Sequence, residues 1–340
     1  MNRNLKNVIV TGGAGFIGSH LVKKLNQLLP DTNVFIIDCL TYAGNMMNIA
    51  GTKSNLIYMD IRNGEHLQNL IDYDIDAIIH LAAESHVDRS IENPLEFVET
   101  NVLGTVNLLE LALKYRAKNP EFIFYHVSTD EVFGTLDMDS KPFNETTPYS
   151  PHSPYSASKA ASDHFVRAYH DTYGLNILIS NCSNNYGPNQ YPEKLIPVVI
   201  GKLKNEEQIP IYGNGLNVRD WLHVEDHAEA IIEILTKGTF GETYCIGGNS
   251  EVSNLDLVSK LIKIYDEIKT ARTGRPSNSV SLIDFVKDRA GHDLRYAIDY
   301  SKMTREFGWS PKRQLSEGLF ETINWYLENE YIEKIASYNE

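Results

Sequence analysis

A short apolar run, Val8-Ile9-Val10, leads directly into Thr11-Gly12-Gly13-Ala14-Gly15-Phe16-Ile17-Gly18 and then into a helical pattern. Glycines at 12, 15 and 18 suit a strand-to-helix turn: one for the tight bend, one for close approach of a pyrophosphate, one for close packing of helix on strand. A glycine triplet alone carries little weight. Here a second apolar run, 34–38, ends in a carboxylate twenty residues after Gly18. Asp38 would there accept from a ribose 2'-hydroxyl and repel a 2'-phosphate. The stretch predicts a strand–turn–helix–strand unit that binds NAD in preference to NADP.

The alternation continues along the chain. Runs at 7–11, 34–38, 56–59, 77–81, 122–128 and 177–182 read as strands, separated by helical patterns that include 18–29, 94–115 and 155–173, the last closed by Gly174. This predicts an α/β fold, a doubly wound parallel sheet of Rossmann type. After Cys182 the regularity fails, and Gly, Pro and Asn gather at 184–192 and 212–217. Residues 183–340 therefore read as a smaller, loop-rich substrate-binding region. It is interleaved with an NAD-binding domain of residues 1–182 that also takes parts of 217–248.

The 340-residue chain carries 31 Lys and Arg against 45 Asp and Glu, a formal net charge of -14. That balance repels phosphate backbones and anionic bilayers, so neither a nucleic-acid nor a membrane partner is expected. The N-terminus enters its first strand without an apolar signal core, and no apolar run reaches spanning length, which suggests a cytoplasmic protein. Cys39, Cys182 and Cys245 are odd in number and lack CxxC spacing. They read as buried small hydrophobes, with no disulfide framework and no metal.

Tyr155 and Lys159 stand at i and i+4 and share a helix face. An ammonium near a phenol lowers the tyrosine pKa and turns a poor base into a usable one. The spacing is common, but after the fifth strand of an NAD-binding sheet it points to chemistry. That strand runs into Val127-Ser128-Thr129-Asp130-Glu131, at the edge where reactive groups belong. Thr129 can donate to a substrate oxygen. Asp130 and Glu131 can divide acid and base work if their surroundings separate their pKa values. Two adjacent loop acids are more often solvated charges; opposite a Tyr–Lys pair, catalysis is the stronger reading.

At these positions the chain resembles the extended short-chain dehydrogenase/reductases and, within them, the NAD-dependent sugar-nucleotide epimerase/dehydratases, in particular the dTDP-glucose 4,6-dehydratase family. The broad likeness rests on the glycine fingerprint and Tyr155-Ser156-Ala157-Ser158-Lys159. The narrow one rests on Leu40-Thr41-Tyr42-Ala43-Gly44-Asn45, Leu81-Ala82-Ala83-Glu84-Ser85-His86-Val87-Asp88-Arg89-Ser90, Ser128-Thr129-Asp130-Glu131-Val132, Asn181-Cys182-Ser183-Asn184-Asn185-Tyr186-Gly187-Pro188 and Arg219-Asp220-Trp221. The Asp130–Glu131 pair is the most specific, since related 4-epimerases lack both acids.

The resemblance implies dehydration of dTDP-glucose to its 4-keto-6-deoxy product without net redox change, for deoxysugars such as rhamnose. Tyr155 would take the proton of the sugar 4-hydroxyl while hydride passes to NAD. Glu131 would remove the C5 proton, a protonated Asp130 would donate to the departing 6-hydroxyl, and hydride would return to C6. Lys159 would orient the nicotinamide ribose and Thr129 would bind the 4-oxygen. Phe16, Ile17, Leu40, Thr41, Asp60, Ile61, Leu81, Ala82, Ala83, Thr100 and Asn185 would join Gly12, Gly15, Gly18, Asp38, Tyr155 and Lys159 around a tightly held cofactor, regenerated each turnover.

Ser85, Asn184, Glu193, Lys194, Leu195, Pro210, Tyr212, Arg219, Asn254, Arg289, His292 and Tyr296 would hold the nucleotide sugar, with Thr129. Arg219 and Arg289 suit its diphosphate, because a guanidinium fork matches phosphate oxygens. A homodimer through helices 94–115 and 155–173 is also implied. The chain departs from the family pattern at Phe133, where tyrosine is usual, and at Leu294, where arginine is usual. A 4-epimerase or uronate decarboxylase would share the first hydride transfer. A non-catalytic NAD-binding scaffold would be expected to lack Thr129, Tyr155 or Lys159.

Overall fold

Strands β1 (Asn7–Thr11), β2 (Asn33–Asp38), β3 (Asn55–Tyr58), β4 (Ala77–His80), β5 (Ile123–Thr129) and β6 (Asn176–Cys182) follow one another up to residue 182. Beyond it lie β7 (Asn184–Tyr186), β8 (Ile209–Tyr212), β9 (Val218–His223), β10 (Thr243–Ile246), β11 (Glu251–Ser253) and β12 (Ile283–Val286). The structure is a computed structural model that describes residues 3–289 and 291–329. Met1, Asn2 and the end of the expected 183–340 region thus lie outside the described residues.

The first six strands and β10 form one sheet in the order β10-β6-β5-β4-β1-β2-β3, and every pairing is parallel. The order reverses between β1 and β4, the switch point at which such sheets open a crevice along their carboxyl edge. The expected strands agree with the observed ones to within a residue at each end. The fifth is shifted by one, which brings Thr129 into the strand. The seventh, Thr243-Tyr244-Cys245-Ile246, was not anticipated; it is four residues long and flanked by glycines.

Alternate residues explain why the strands read as unbroken apolar runs. Val8 and Val10 pack with Leu21, Leu25 and Ile231 on one face. Ile9 packs with Leu108, Phe124 and Ile177 on the other. Both faces of a parallel sheet are buried, so the polar half of the usual strand alternation is missing. Helices Phe16–Leu28 and Val224–Lys237 cover the first face, and Gly104–Lys118 and Pro154–Tyr173 the second.

The helix expected over 94–115 is interrupted. Pro94–Phe97 passes into a π-helical stretch, Val98–Leu103, before Gly104–Lys118 resumes the α form. The wider turn presents buried Asn101, which accepts from Glu84 N at 2.9 Å and donates to Glu84 O at 3.0 Å and to Ser158 Oγ at 2.8 Å. A tight α turn would aim this amide elsewhere. The bulge therefore ties the loop after β4 to the helix that carries Tyr155 and Lys159.

The region after residue 182 is more helical than its composition suggests. Leu195–Lys204, Asn254–Thr273 and Leu315–Glu328 surround a further core of Tyr186, Ile200, Leu261, Ile323 and Tyr326. The Gly, Pro and Asn clusters mark connections and the short strand β7. A β11-β9-β7 sheet and a parallel β12-β8 pair complete it. No helix among the described residues is long and apolar enough to cross a membrane.

The fingerprint turn is closed by backbone contact. Gly12 lies at φ +70°, where a Cβ would stand 2.8 Å from Ala82 N, and a Cβ on Gly18 would come within 2.1 Å of the Gly12 carbonyl oxygen. Gly18→Ala is therefore expected to push the helix Phe16–Leu28 off β1. The cost should be at least the ~1–3 kcal/mol of an overpacked core, and dinucleotide affinity should fall. Urea unfolding that leaves the midpoint unchanged would contradict this.

Candidate active site

One cleft follows the carboxyl edge from β2 to β6, and every residue expected around the cofactor lines it except Leu40. Leu40 lies at φ +48°, and its N–H donates to Asp38 Oδ1 at 2.8 Å, so it shapes the acid without facing the cleft. Asp38 Oδ2 accepts from Ala14 N at 3.0 Å. Each oxygen keeps a lone pair for a ribose hydroxyl. Burial raises the Asp38 carboxyl, and the two amides pull it back.

Arg62, the only arginine lining the cleft among the described residues, is committed to Asp60 through bonds of 2.6 and 2.9 Å. Despite partial burial, those bonds hold Asp60 below its ordinary value. The helix Phe16–Leu28 begins at Gly15 with no side-chain cap and no acidic residue in its first turn, which leaves its amide dipoles open to a diphosphate. An accepting carboxylate, an occupied arginine and an open helix start fit a dinucleotide with a free 2'-hydroxyl. Arg62, Glu84, Gln190 and Tyr191 line the cleft as well. Glu84 lies within the 81–90 motif, which assigns it no role; the other three stand as single polar residues in loops, where no sequence pattern marks them. Cys39 also lines the cleft and is half-buried, not enclosed as expected; Cys182 and Cys245 are buried.

At the other end, Thr129 closes β5 and caps the one-turn helix Asp130–Phe133. Its hydroxyl accepts from Glu131 N at 3.3 Å and donates to Asp130 Oδ1 at 3.4 Å. The helix opposite is fixed by a reciprocal Ser153–Ser156 capping box with Pro154 in the first turn, which sets Tyr155 at the cleft wall. Thr129 lies beside its phenol and favours the phenolate. The structure thus brings Thr129, Asp130, Glu131, Tyr155 and Lys159 to one wall.

The two acids differ in their surroundings. Asp130 is 1% exposed, and its Oδ2 has no hydrogen-bond partner among the described residues. Burial, then the charges of Glu131 and Asp220, push its carboxyl well above the ordinary range. Glu131 is also raised by burial, but the charges of Lys194, Arg219 and Arg289 oppose the shift. Asp130 is the better proton store and Glu131 the better base.

The expected effect of Lys159 on Tyr155 does not hold in this conformation. Burial, followed by the Glu131 charge, pushes the phenol well above its ordinary value. Lys159 Nζ donates to Val127 O at 3.0 Å and stands 3.4 Å from His126 Nε2, so the ammonium faces β5 and not the phenol.

Ser85, Asn184, Glu193 and Lys194 line the same cleft with Thr129, whereas the remaining expected sugar-nucleotide residues do not. Leu195 and Asn254 each open a helix, and Pro210 lies within β8. Arg289 is ion-paired with Asp88, at 2.6 Å, and lies 5.4 Å over the Tyr212 ring. His292 pairs with Asp288 at 2.7 Å. Arg219 donates to the carbonyls of Val218 and Asp293 and stacks 4.3 Å over Tyr296. An anion reaching Arg289 must compete with Asp88. No group of three or more potential metal-ligating side chains occurs among the described residues.

Residues 9–322 match the family described as GDP-mannose 4,6 dehydratase. The dTDP-glucose 4,6-dehydratase of Xanthomonas campestris pv. campestris (strain B100) is 50% identical over 332 residues, spanning 95% of this chain and 93% of that one. The chain belongs to the dTDP-glucose 4,6-dehydratase family. Among solved members, DesIV of Streptomyces venezuelae, with NAD bound, shares 44% identity at a TM-score of 0.87 and covers 97% of this chain and 99% of its own. The enzyme of Bacillus anthracis str. Ames, in complex with NAD, shares 42% at a TM-score of 0.85, with coverage of 97% and 99%. These dehydratases share with this chain its seven-stranded Rossmann-type sheet.

The position of Asp130 makes a stability prediction. Its folded pKa is raised, so the fold favours the protonated form; that contribution is complete below the ordinary carboxylate range, about pH 4, and is lost as pH rises through the folded pKa. Asp130→Asn cannot ionise. Its denaturation midpoint should exceed the wild type's at pH 8, and the gain should vanish near pH 4. A difference independent of pH would overturn the assignment.

Proposed function

We propose that this protein converts dTDP-glucose to dTDP-4-keto-6-deoxyglucose and water, as an NAD-dependent hydro-lyase that returns its cofactor unchanged. The observation that carries this reading is an enclosed acid, Asp130, beside a cation-surrounded acid, Glu131, with Thr129 hydrogen-bonded to both and Tyr155 on the same cleft wall. Family membership supports the substrate.

Gly12, Gly15, Gly18 and Asp38 hold NAD, which when bound accepts hydride from C4 and donates it to C6. Tyr155 receives the 4-hydroxyl proton, and Thr129 donates to the 4-oxygen. The ketone formed at C4 acidifies C5–H, and Glu131 removes that proton. Asp130 donates its proton to the 6-hydroxyl, so that water leaves in place of hydroxide. Glu131 then returns a proton to C5. A 4-epimerase or decarboxylase has no task for a carboxyl kept protonated beside a second acid.

In this reading residues 1–182, with parts of 217–248, form the NAD-binding domain, and 183–340 the substrate-binding region. The protein is a homodimer: Leu95, Val98 and Leu103 on one helical segment, and Phe165 and Tyr173 on the next, are apolar and exposed, as expected of a helix-to-helix interface. Free thiols at all three cysteines suit a reducing cytoplasm. The product suits deoxysugar synthesis, rhamnose included.

Incubation with dTDP-, UDP-, CDP- and GDP-hexoses should yield loss of one water from dTDP-glucose, without added oxidant or reductant. Mass spectra showing only a C4 epimer would refute the proposal. Asp130→Asn should slow water loss by about 10²-fold or more yet leave C4 oxidation, so that reduced-cofactor absorbance accumulates transiently. Light scattering should give a dimer, and Leu95→Arg should shift it towards monomer.

A further inference from the structure

The helix Pro154–Tyr173 carries Tyr155, Lys159, Asp163 and Arg167 at successive i+4 positions, so a phenol, an ammonium, a carboxylate and a guanidinium share one face. The sequence motif stops at Lys159. Asp163 and His126 of β5 are both wholly buried. His126 Nε2 lies 3.1 Å from Asp163 Oδ1 and 3.4 Å from Lys159 Nζ, which wedges the imidazole between the two charges. Asp163 Oδ2 accepts from Ser128 Oγ at 2.9 Å, Tyr149 OH at 2.7 Å and Asn181 Nδ2 at 3.4 Å. Arg167 in turn donates to the Tyr149 hydroxyl at 2.9 Å.

A buried carboxylate is costly unless a positive charge answers it. His126 does not provide one: burial, then the Lys159 charge, pushes it down to about 4. Its Nε2 abuts Asp163 Oδ1, an oxygen that accepts no hydrogen bond among the described residues. Burial also opposes the Asp163 charge, yet the neighbouring His126 and the Lys159 ammonium keep the carboxyl below its ordinary value. In return, Asp163 opposes the lowering that burial imposes on Lys159.

The other groups around Lys159 are neutral or lie towards the cleft. His80 of β4, its ring 5.2 Å from that of His126, is held by Thr11 and Thr105 hydroxyls and driven well below its ordinary value by burial. The Cys182 thiol of β6 is raised by burial and by Asp130. Asp130 and Glu131 face the cleft, on the side of Tyr155.

We propose that Asp163, acting through His126, is the positioning residue that keeps the buried Lys159 charged and oriented, and so sets the pH range over which Tyr155 works. This rests on the reading of Tyr155 as base and of Lys159 as its cationic partner when the cofactor is bound, since in the structure described the ammonium faces β5. With Asn at 163 the ammonium loses its counter-charge and gives up its proton more readily, and the phenolate loses its support.

The test is the pH profile of C4 oxidation, followed as cofactor reduction on mixing with dTDP-glucose. In Asp163→Asn the ascending limb should move up by about one pH unit, about tenfold in rate below the limb, and the descending limb should move down. Asp163→Glu, which keeps the charge, should recover most of the range. Tyr149→Phe, which removes a donor but no charge, should leave both limbs in place. If circular dichroism shows Asp163→Asn unfolded, His126→Gln breaks the same link and should narrow the profile likewise. A rate loss equal at every pH, or an ascending limb that moves down, would overturn the proposal. If instead Tyr155→Phe and Lys159→Ala retain cofactor reduction, it is the base assignment that fails.

Discussion

Because every pairing in the seven-stranded sheet is parallel, helices must cover both of its faces, and chemistry is left only the strand ends. Thr11, Asp38, His80 and Thr129 all stand at or beside carboxyl ends. The strand order reverses between β1 and β4, so the loops after these two part there and admit the backbone contact between Gly12 and Ala82. The dinucleotide turn and the Thr129–Glu131 wall are consequences of one layer arrangement.

Within that edge, enclosure sets the electrostatics. Asp130, Glu131 and Tyr155 are each raised by burial; Glu131 also raises Asp130, and both acids raise Tyr155. Mutual repulsion of this kind keeps protons in the site. Lys194, Arg219 and Arg289 all oppose the rise of Glu131, and Arg219 opposes that of Asp130 as well, so residues of the second region weight which of two neighbouring acids ionises. Specificity and acid–base assignment are thus physically linked, since any ligand that draws Arg289 from Asp88 also changes the field at Glu131.

The sheet was legible because its runs are apolar on both faces and its turns carry Gly or Asp; Thr129 to Glu131, Tyr155 and Lys159 were legible because their spacing matches a helix or a strand end. Other features have no local signature. β10 lies beyond the point where the strand–helix alternation breaks down, and the π turn at Asn101 differs from an α turn by one residue of register. Arg219 and Arg289 were expected at the diphosphate; in this structure neither lines the cleft, and their partners, the 293 carbonyl and Asp88, come from distant parts of the chain. The orientation of Lys159 towards β5 follows from His126, thirty-three positions away. Side-chain direction is set by tertiary neighbours, which spacing along one helix does not reveal.

The path of the chain has a different kind of consequence. It leaves the sheet after Cys182, returns with Val224–Lys237 and β10, departs again through Asn254–Thr273, packs Ser301–Phe307 against β10, and ends with Leu315–Glu328 beside Asn254–Thr273. No single cut separates the seven-stranded sheet and its helices from the region packed beside them. The two cannot be exchanged as modules between relatives by one recombination event. New specificities on this scaffold must therefore arise by substitution within the connecting loops, under the constraint that each substitution is felt by the common core.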